Sequence, residues 1–209
     1  SRFMPLTVWP ACDLFVPTLI DMLWGMEGGK GLGKGEGRVE KLSCNPLEKV
    51  KVPCRLLELG AGTGTLSIVV STVIPQSVLS SITMSDCRSS SLAIMRSNAK
   101  LNNVDENRVE VKDVLWREDI EKDGTLQKGH WGIIVGTDVV FAKEAIAPMI
   151  ATAKWAMAEG GVFLLANHSM RIDNLEDKLY EEVKKSGGKI EFLGFCDEEN
   201  KIKVHAITY

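Results

Sequence analysis

Short apolar runs alternate along the chain with longer segments in which apolar positions recur at helical spacing. The runs predict buried strands, because they are brief and rich in valine and isoleucine. One run ends at 55–57, and the others lie at 80–84, 109–111, 131–136, 162–166, 189–195 and 201–208. The longer segments predict helices at 17–24, 66–74, 87–101, 143–157 and 173–186. This alternation predicts an α/β fold with a mostly parallel sheet flanked by helices.

Two segments of the chain differ from this regular pattern. The last two runs are joined by a polar turn at 197–200, which predicts an antiparallel hairpin. Residues 25–41 are rich in glycine and lysine and are predicted to form a flexible surface insertion in a single domain over 1–209. A phosphate-binding loop is the alternative for this stretch, but no G-x-x-x-x-G-K-[ST] register fits.

A glycine turn follows the first strand and is the strongest candidate site. Gly60, Gly62 and Gly64 are spaced G-x-G-x-G, with Glu58 before them and Thr65 where a dinucleotide fingerprint has its third glycine. Glycine lets a ligand lie against bare backbone. A carboxylate at Glu58 suits an amine-bearing ligand better than a diphosphate. This pattern resembles that of S-adenosylmethionine (SAM) methyltransferases, and Glu58 would then face the cofactor's ammonium or remain a strand-end charge.

Two further positions predict contacts with the rest of that cofactor. Asp86 ends the second strand about 20 residues after the glycine turn, where an acid accepts from ribose hydroxyls; the alternative is a helix N-cap. Leu115 and Trp116 follow the third strand, where adenine lies in such folds. Trp116 would pack on adenine or belong to the core, and a backbone N–H of Leu115 or Trp116 would donate to the ring.

Composition excludes several classes of protein. The 209 residues are 44% hydrophobic and carry a formal net charge of −3, so no general attraction to nucleic acid is expected. The five cysteines form no C-x-x-C pair, which disfavours structural zinc and disulfides and favours a reducing compartment. No apolar run approaches the ~18 residues of a membrane span. His130 and His205 have no partners for a metal cluster, and we predict no metal site.

A wider layout resembles the seven-strand family 16 protein methyltransferases, which mostly methylate lysine in particular folded proteins. It comprises 7–11 (Thr-Val-Trp-Pro-Ala), the glycine turn, Asn98, the tryptophan after the third strand, and 138–141 (Asp-Val-Val-Phe) after the fourth. The resemblance covers nearly the whole chain and implies a Rossmann-like seven-strand sheet. It also implies SAM as cofactor, S-adenosylhomocysteine as product and a protein substrate.

The resemblance also implies a catalytic pair and a cofactor lid. Asp138 would contact the cofactor region and hold the incoming lysine, and Phe141 would offer its ring to the cation. Trp9 would close over the methionine end of the cofactor. Their alternatives are a helix cap for Asp138, a core aromatic for Phe141 and a packing residue for Trp9. Phe141 replaces the family's usual tyrosine, so a hydroxyl role is excluded at this position.

Some alternatives stay open at this stage. Arg117 replaces the glycine expected after the tryptophan, and together with Phe141 it leaves room for a non-catalytic SAM-binding adaptor. Methylation of histidine, nucleic acid or a small molecule, and an NAD-dependent dehydrogenase, remain competing functions. Glu144 is expected to favour the helix N-terminal dipole, and His168 and Arg171 are secondary candidates. We expect a cytoplasmic monomer, with the nucleus as the alternative location.

Overall fold

Seven strands form one sheet in the computed structural model, which describes residues 10–26, 43–169 and 175–209. The strands are β1 (Cys54–Leu59), β2 (Leu79–Asp86), β3 (Val109–Asp113), β4 (Trp131–Thr137), β5 (Met157–His168), β6 (Lys189–Asp197) and β7 (Ile202–Thr208). Their order is β3-β2-β1-β4-β5-β7-β6. Strand β7 is antiparallel to both β5 and β6, and the other neighbouring pairs are parallel. The predicted fold class is confirmed, including the closing antiparallel hairpin.

Helices cover both faces of the sheet. They are α1 (Pro10–Gly25), α2 (Thr65–Val73), α3 (Ser89–Leu101), α4 (Lys143–Ala156) and α5 (Glu176–Lys185), with 3-10 turns at Pro46–Lys49 and Ile120–Lys122. Successive side chains of a strand point to opposite faces. Leu56 therefore packs in the core under α1, α2 and α3, while Leu57 packs in the core under α4 and α5. Within the described ranges, no helix is long and apolar enough to cross a bilayer.

Helix α1 is longer than the sequence pattern predicts. It starts at Pro10 rather than at 17, and Pro17 lies inside it. Ala11, Phe15 and Leu19 are fully buried, so the apolar stripe continues through the two turns that the prediction omitted. Proline is favoured at the first position of a helix. That preference applies here to Pro10, and applying it to Pro17 gave the wrong start.

Strand β5 is also longer than predicted. The predicted turn at Gly160 and Gly161 lies within it, and Gly160 has a φ of +71°. The register of β5 on β4 shifts between Trp131 and Ile133. The glycine pair therefore marks an irregularity inside a strand, a common role for glycine in sheets, and the prediction of a separate turn was wrong.

The predicted glycine- and lysine-rich insertion at 25–41 lies almost wholly outside the described residues. Gly25 is the last residue of α1, and only Met26 follows it before the gap. The flexible character of this stretch and the single domain over 1–209 therefore stay predictions.

Arg108 fastens the far end of α2 to the sheet. The residue is 9% exposed, and its guanidinium donates to the carbonyl oxygens of Ser71 at 2.6 Å and Leu79 at 3.0 Å, and also to that of Ile74. The last carbonyls of a helix have no partners within the helix. Arg108 supplies such partners where α2 ends and β2 begins.

Replacing Arg108 by leucine should lower the free energy of unfolding by about 2–4 kcal/mol, because several buried carbonyl groups lose their donor at once. Urea unfolding of both proteins measures this difference. Arg96→Leu on the exposed side of α3 is the matched control and should change stability little. Equal stabilities of the two variants would show that Arg108 contributes no more than a surface arginine.

Candidate active site

The glycine turn adopts a conformation that only glycine reaches without strain. Gly60, Gly62 and Gly64 have φ of +68°, +57° and +77°. A Cβ on Gly60 would lie 2.9 Å from a methyl group of Val139, and one on Gly64 would lie 2.7 Å from the sulfur of Met84. A Cβ on Gly62 would meet nothing within 4 Å. The turn thus packs tightly at both ends and leaves open space at its middle, where backbone can approach a ligand.

Two side chains hold this turn in place. Asp86, at the end of β2, accepts from the Gly62 N–H at 3.1 Å. Asn98, on α3, donates to the Thr63 carbonyl oxygen at 2.9 Å. Thr65 stands where the third glycine of a dinucleotide fingerprint would fall, and here it is the first residue of α2. The turn is therefore supported from both β2 and α3.

Glu58 points beneath the turn into the protein. Its side chain accepts from the backbone N–H of Ser67 at 3.3 Å and from the Ser67 hydroxyl at 2.5 Å. The residue is 1% exposed. Burial raises the pKa of Glu58 to about 7, the hydrogen bonds from Ser67 oppose this rise, and the charge of Asp86 adds to it. Glu58 thus satisfies the first turn of α2, and its predicted contact with the cofactor's ammonium stays a prediction.

The raised pKa of Glu58 predicts a stability that falls as the pH rises. The ordinary pKa of 4.5 applies to the unfolded chain, so between pH 4.5 and about 7 the folded protein holds a proton that the unfolded chain has lost. Ionisation then costs ~3 kcal/mol of folding free energy by pH 8. Glutamine does not ionise, so the Glu58→Gln variant does not have this loss of stability. Between pH 4.5 and pH 8, we expect the free energy of unfolding of the variant to rise by ~3 kcal/mol relative to that of the native protein. Urea unfolding of both proteins at each pH measures this difference.

Glu106→Gln is the matched control for this pH series, because Glu106 is exposed and the substitution is the same. Its stability relative to the native protein should not vary with pH. A Glu58→Gln difference that is equally independent of pH would show that Glu58 ionises normally in the folded protein.

Asp86 is buried beside the turn yet faces a cavity. It is 6% exposed, and its second oxygen accepts from the Arg88 N–H at 3.0 Å. The Arg88 guanidinium also lies 3.6 Å from this oxygen. Each carboxylate oxygen has two lone pairs, so Asp86 keeps acceptor capacity beyond these bonds. Helix α3 begins at Ser89 with Arg88 as its N-cap residue and has no side-chain cap hydrogen bond, so the predicted alternative, an N-cap at Asp86, is wrong. Ribose binding by Asp86 stays a prediction.

A cavity of about 550 Å³ opens at the carboxyl ends of the strands and contains half of the predicted site residues. Its volume is within the range of small-molecule sites. From the prediction it contains Gly60, Asp86, Leu115, Trp116 and Phe141. Leu115 and Phe141 are both more than half exposed at its surface. The Trp116 ring lies over the turn, 3.2 Å from the position of a Cβ on Gly60.

Sequence reasoning missed several residues of this cavity. They lie beside Asp86, before Leu115, between β4 and α4, and on the first turns of α4: Cys87, Arg88, Val114, Val139, Ala142, Glu144, Ala145 and Pro148. The position of α4 directly after the fourth-strand motif was the signal that could have placed its first turns there. A cavity of about 560 Å³ lies elsewhere, lined by Glu118, Trp155 and Glu182 among others, and contains none of the predicted residues.

Asp138 joins two elements at the edge of this region. Its carboxylate accepts from the His168 N–H at 3.0 Å and from the Ala11 N–H of α1 at 3.4 Å. Its φ is +53° and it is 7% exposed. Asp138 is not in the wall of the cavity that contains Phe141. The catalytic roles of both residues, and the cofactor contact of Asp138, stay predictions.

Two predicted residues fall outside the described part of the chain. Trp9 directly precedes the first described residue, Pro10, and Arg171 lies in the gap at 170–174. Among the described residues, no group of three or more histidine, cysteine, aspartate or glutamate side chains is placed to bind a metal ion.

Comparison with known proteins assigns the family. The sequence model of methyltransferase family 16, described as lysine methyltransferase, matches residues 26–186, which is more than half of the chain. This chain belongs to that family. The methyltransferase fold is also found in a SAM-dependent methyltransferase from Aquifex aeolicus, with a TM-score of 0.60, 12% identity and coverage of 92% of this chain and 98% of that one.

Two curated relatives are similar over part of their length. Protein N-lysine methyltransferase METTL21A of Mus musculus is 28% identical over 116 residues, which are 54% of this chain and 49% of that protein. Ribosomal protein L11 methyltransferase of Acetivibrio thermocellus is 35% identical over 99 residues, or 47% and 29% respectively. The chain therefore matches about half of the first relative and less than a third of the second.

The cofactor of the family is SAM, and the residues of the cavity fit it. A structural neighbour, the putative methyltransferase SMU.776, is complexed with S-adenosylhomocysteine, with a TM-score of 0.55, 15% identity and coverage of 78% of this chain and 47% of that one. In this chain, the bare backbone of the glycine turn, the spare acceptor capacity of Asp86 and the aromatic surface of Trp116 suit the amino acid, ribose and adenine parts respectively.

Proposed function

We propose that this chain transfers a methyl group from SAM to the side-chain amine of a lysine in a protein. The family assignment and the N-lysine methyltransferase among its relatives support a lysine acceptor. The observation that carries the proposal is the position of Phe141. Its ring is 51% exposed in the wall of the same cavity that contains Asp86, so an aromatic surface faces both solvent and the cofactor region.

Phe141 and Asp138 suit a cationic acceptor. A lysine amine with a pKa of about 10.4 is almost wholly protonated at neutral pH, and it must lose a proton before it can attack. The face of Phe141 attracts the ammonium, and an apolar aromatic wall then favours the neutral amine by excluding water. Asp138 adds a carboxylate after the same strand, β4. The cofactor supplies an activated methyl group, so the protein mainly aligns the amine and removes its proton.

The test is incubation with tritiated SAM and a cell lysate, followed by gel separation with and without nuclease or protease. We expect a discrete band that protease removes, and mass spectrometry of that band should place the methyl group on lysine. Asp86→Ala is the matched control and should abolish the label. Label on histidine or on nucleic acid would redirect the function. SAM binding without any labelled product would support the non-catalytic adaptor, for which the substitution of tyrosine by Phe141 is the motivating observation.

Two expectations about the whole protein stay predictions beside this one. We propose that it acts as a monomer. We also propose that it is located in the cytoplasm, because its cysteine content suits a reducing compartment. Light scattering coupled to size-exclusion chromatography and imaging of the tagged protein test the two expectations separately.

A further inference from the structure

Two carboxylates line the cavity, one from β2 and one from α4. Asp86 is the last residue of β2 and already accepts from two backbone N–H groups. Glu144 lies in the first turn of α4 and is exposed. Within the parts of the chain that the structure describes, the Glu144 carboxylate forms no hydrogen bond or ion pair. It is therefore a charged acceptor that faces a ligand cavity without a partner of its own.

The surroundings of Glu144 distinguish it from Asp86. Asp86 lies beside the glycine turn, which places ribose there. The cavity continues between the segment after β3 and the first turns of α4. The side chains on these two walls are apolar apart from Glu144: Val114, Leu115, Trp116, Phe141, Ala142, Ala145 and Pro148. Among the residues that line these two walls, Glu144 is thus the one with a side-chain oxygen that can accept from a flat, mostly apolar base.

Adenine offers one group that a carboxylate selects. Its 6-amino group is a donor, whereas the 6-oxo purines hypoxanthine and guanine have an acceptor oxygen at that position. A carboxylate is an acceptor only, so it binds the amino group and repels the oxygen. We propose that Glu144 accepts from the 6-amino group of the cofactor's adenine and selects it over 6-oxo purines. This rests on SAM as the cofactor and does not depend on which group is methylated.

The expected discrimination follows from the strength of hydrogen bonds to charged groups. Such a bond contributes about 1.5–3 kcal/mol, which corresponds to a preference of about 10-fold to 100-fold. Glu144 is exposed, so we expect the lower end of this range. Glutamine at 144 can turn its amide to accept from an amino group or to donate to an oxygen. Glu144→Gln should therefore bind both purines with affinities within about 3-fold of each other.

The experiment is calorimetric titration of the native chain with S-adenosylhomocysteine and with S-inosylhomocysteine, its 6-oxo counterpart. We expect the native chain to bind the adenosyl compound at least about 10-fold more tightly, and Glu144→Gln to lose most of that preference. Glu121→Gln is the control. Glu121 is exposed, lies outside this cavity and undergoes the same chemical change, so this variant should keep the native ratio.

Each outcome separates this inference from the cofactor assignment. Tight binding of S-adenosylhomocysteine with the native ratio unchanged in Glu144→Gln would remove Glu144 from base recognition and leave SAM as the cofactor. Equal binding of the two purines by the native chain would also overturn the inference. Failure of the native chain to bind either compound would refute both the inference and the cofactor assignment.

Discussion

Asp86→Ala should weaken the binding of SAM by at least about 100-fold, because two ribose hydroxyls lose a charged acceptor at once and each such bond contributes about 1.5–3 kcal/mol. The structure adds a second reason. The same carboxylate accepts from the Gly62 N–H, so its removal also releases the middle of the glycine turn. Calorimetric titration with SAM measures the effect, and thermal unfolding without ligand shows whether the variant remains folded.

Asp177→Ala is the matched control for Asp86→Ala. Asp177 is exposed on α5 and lies outside the cavity. Its removal should leave SAM affinity within about 3-fold of the native value, as for a surface residue without a role in binding. A folded Asp86→Ala protein with native affinity would exclude Asp86 from the ribose site, whatever the control shows.

Asp138→Ala should lower the turnover number by at least about 100-fold while changing SAM affinity far less. Loss of one preorganised electrostatic group from an active site has effects of this size. The expected reason is that the acceptor ammonium loses the carboxylate that attracts it. Single-turnover transfer from tritiated SAM to the identified substrate measures the first quantity, and calorimetry measures the second.

The contacts of Asp138 call for a variant that separates charge from docking of α1. Asp138→Asn removes the charge but keeps one oxygen that can accept from Ala11 or His168. If the charge matters, both variants lose turnover. If Asp138 only anchors α1, the asparagine variant should recover much of the activity, and hydrogen exchange at the first turn of α1 should increase in the alanine variant alone. That second result would contradict the catalytic role.

The sequence predicts the sheet well because the central strands are buried on both faces. Such strands appear as continuous apolar runs, and β4 is buried at every position. Helix α1 was harder to delimit, because its proline at 17 resembles a helix start when the neighbours in space are unknown. The length of β5 was missed for a similar reason. A glycine pair indicates a turn locally, and only pairing with β4 shows that the strand continues.

The site was predictable in its composition and less so in its orientation. The positions of Asp86 and Trp116 follow from strand ends that meet at one edge of a parallel sheet. The direction of a side chain depends on tertiary packing, which no local pattern contains. Glu58 therefore lies against Ser67 under the turn, and Asp138 contacts α1 and β5 rather than the cavity. From the sequence, Glu144 was expected only to favour the helix dipole. Its cavity forms only when α4 packs beside the segment after β3, so no local pattern shows that Glu144 lines it.

The position of β7 in the sheet constrains the order of folding. Strand β6 precedes β7 in the chain, yet among the described strands it pairs with β7 alone and reaches β5 through it. The two strands are therefore expected to join the sheet together as a hairpin. Leu193 and Cys196 of β6 belong to the core that buries α1. Complete burial of α1, the first described element, thus includes contacts with the last two, and such contacts between residues far apart in sequence favour slow folding.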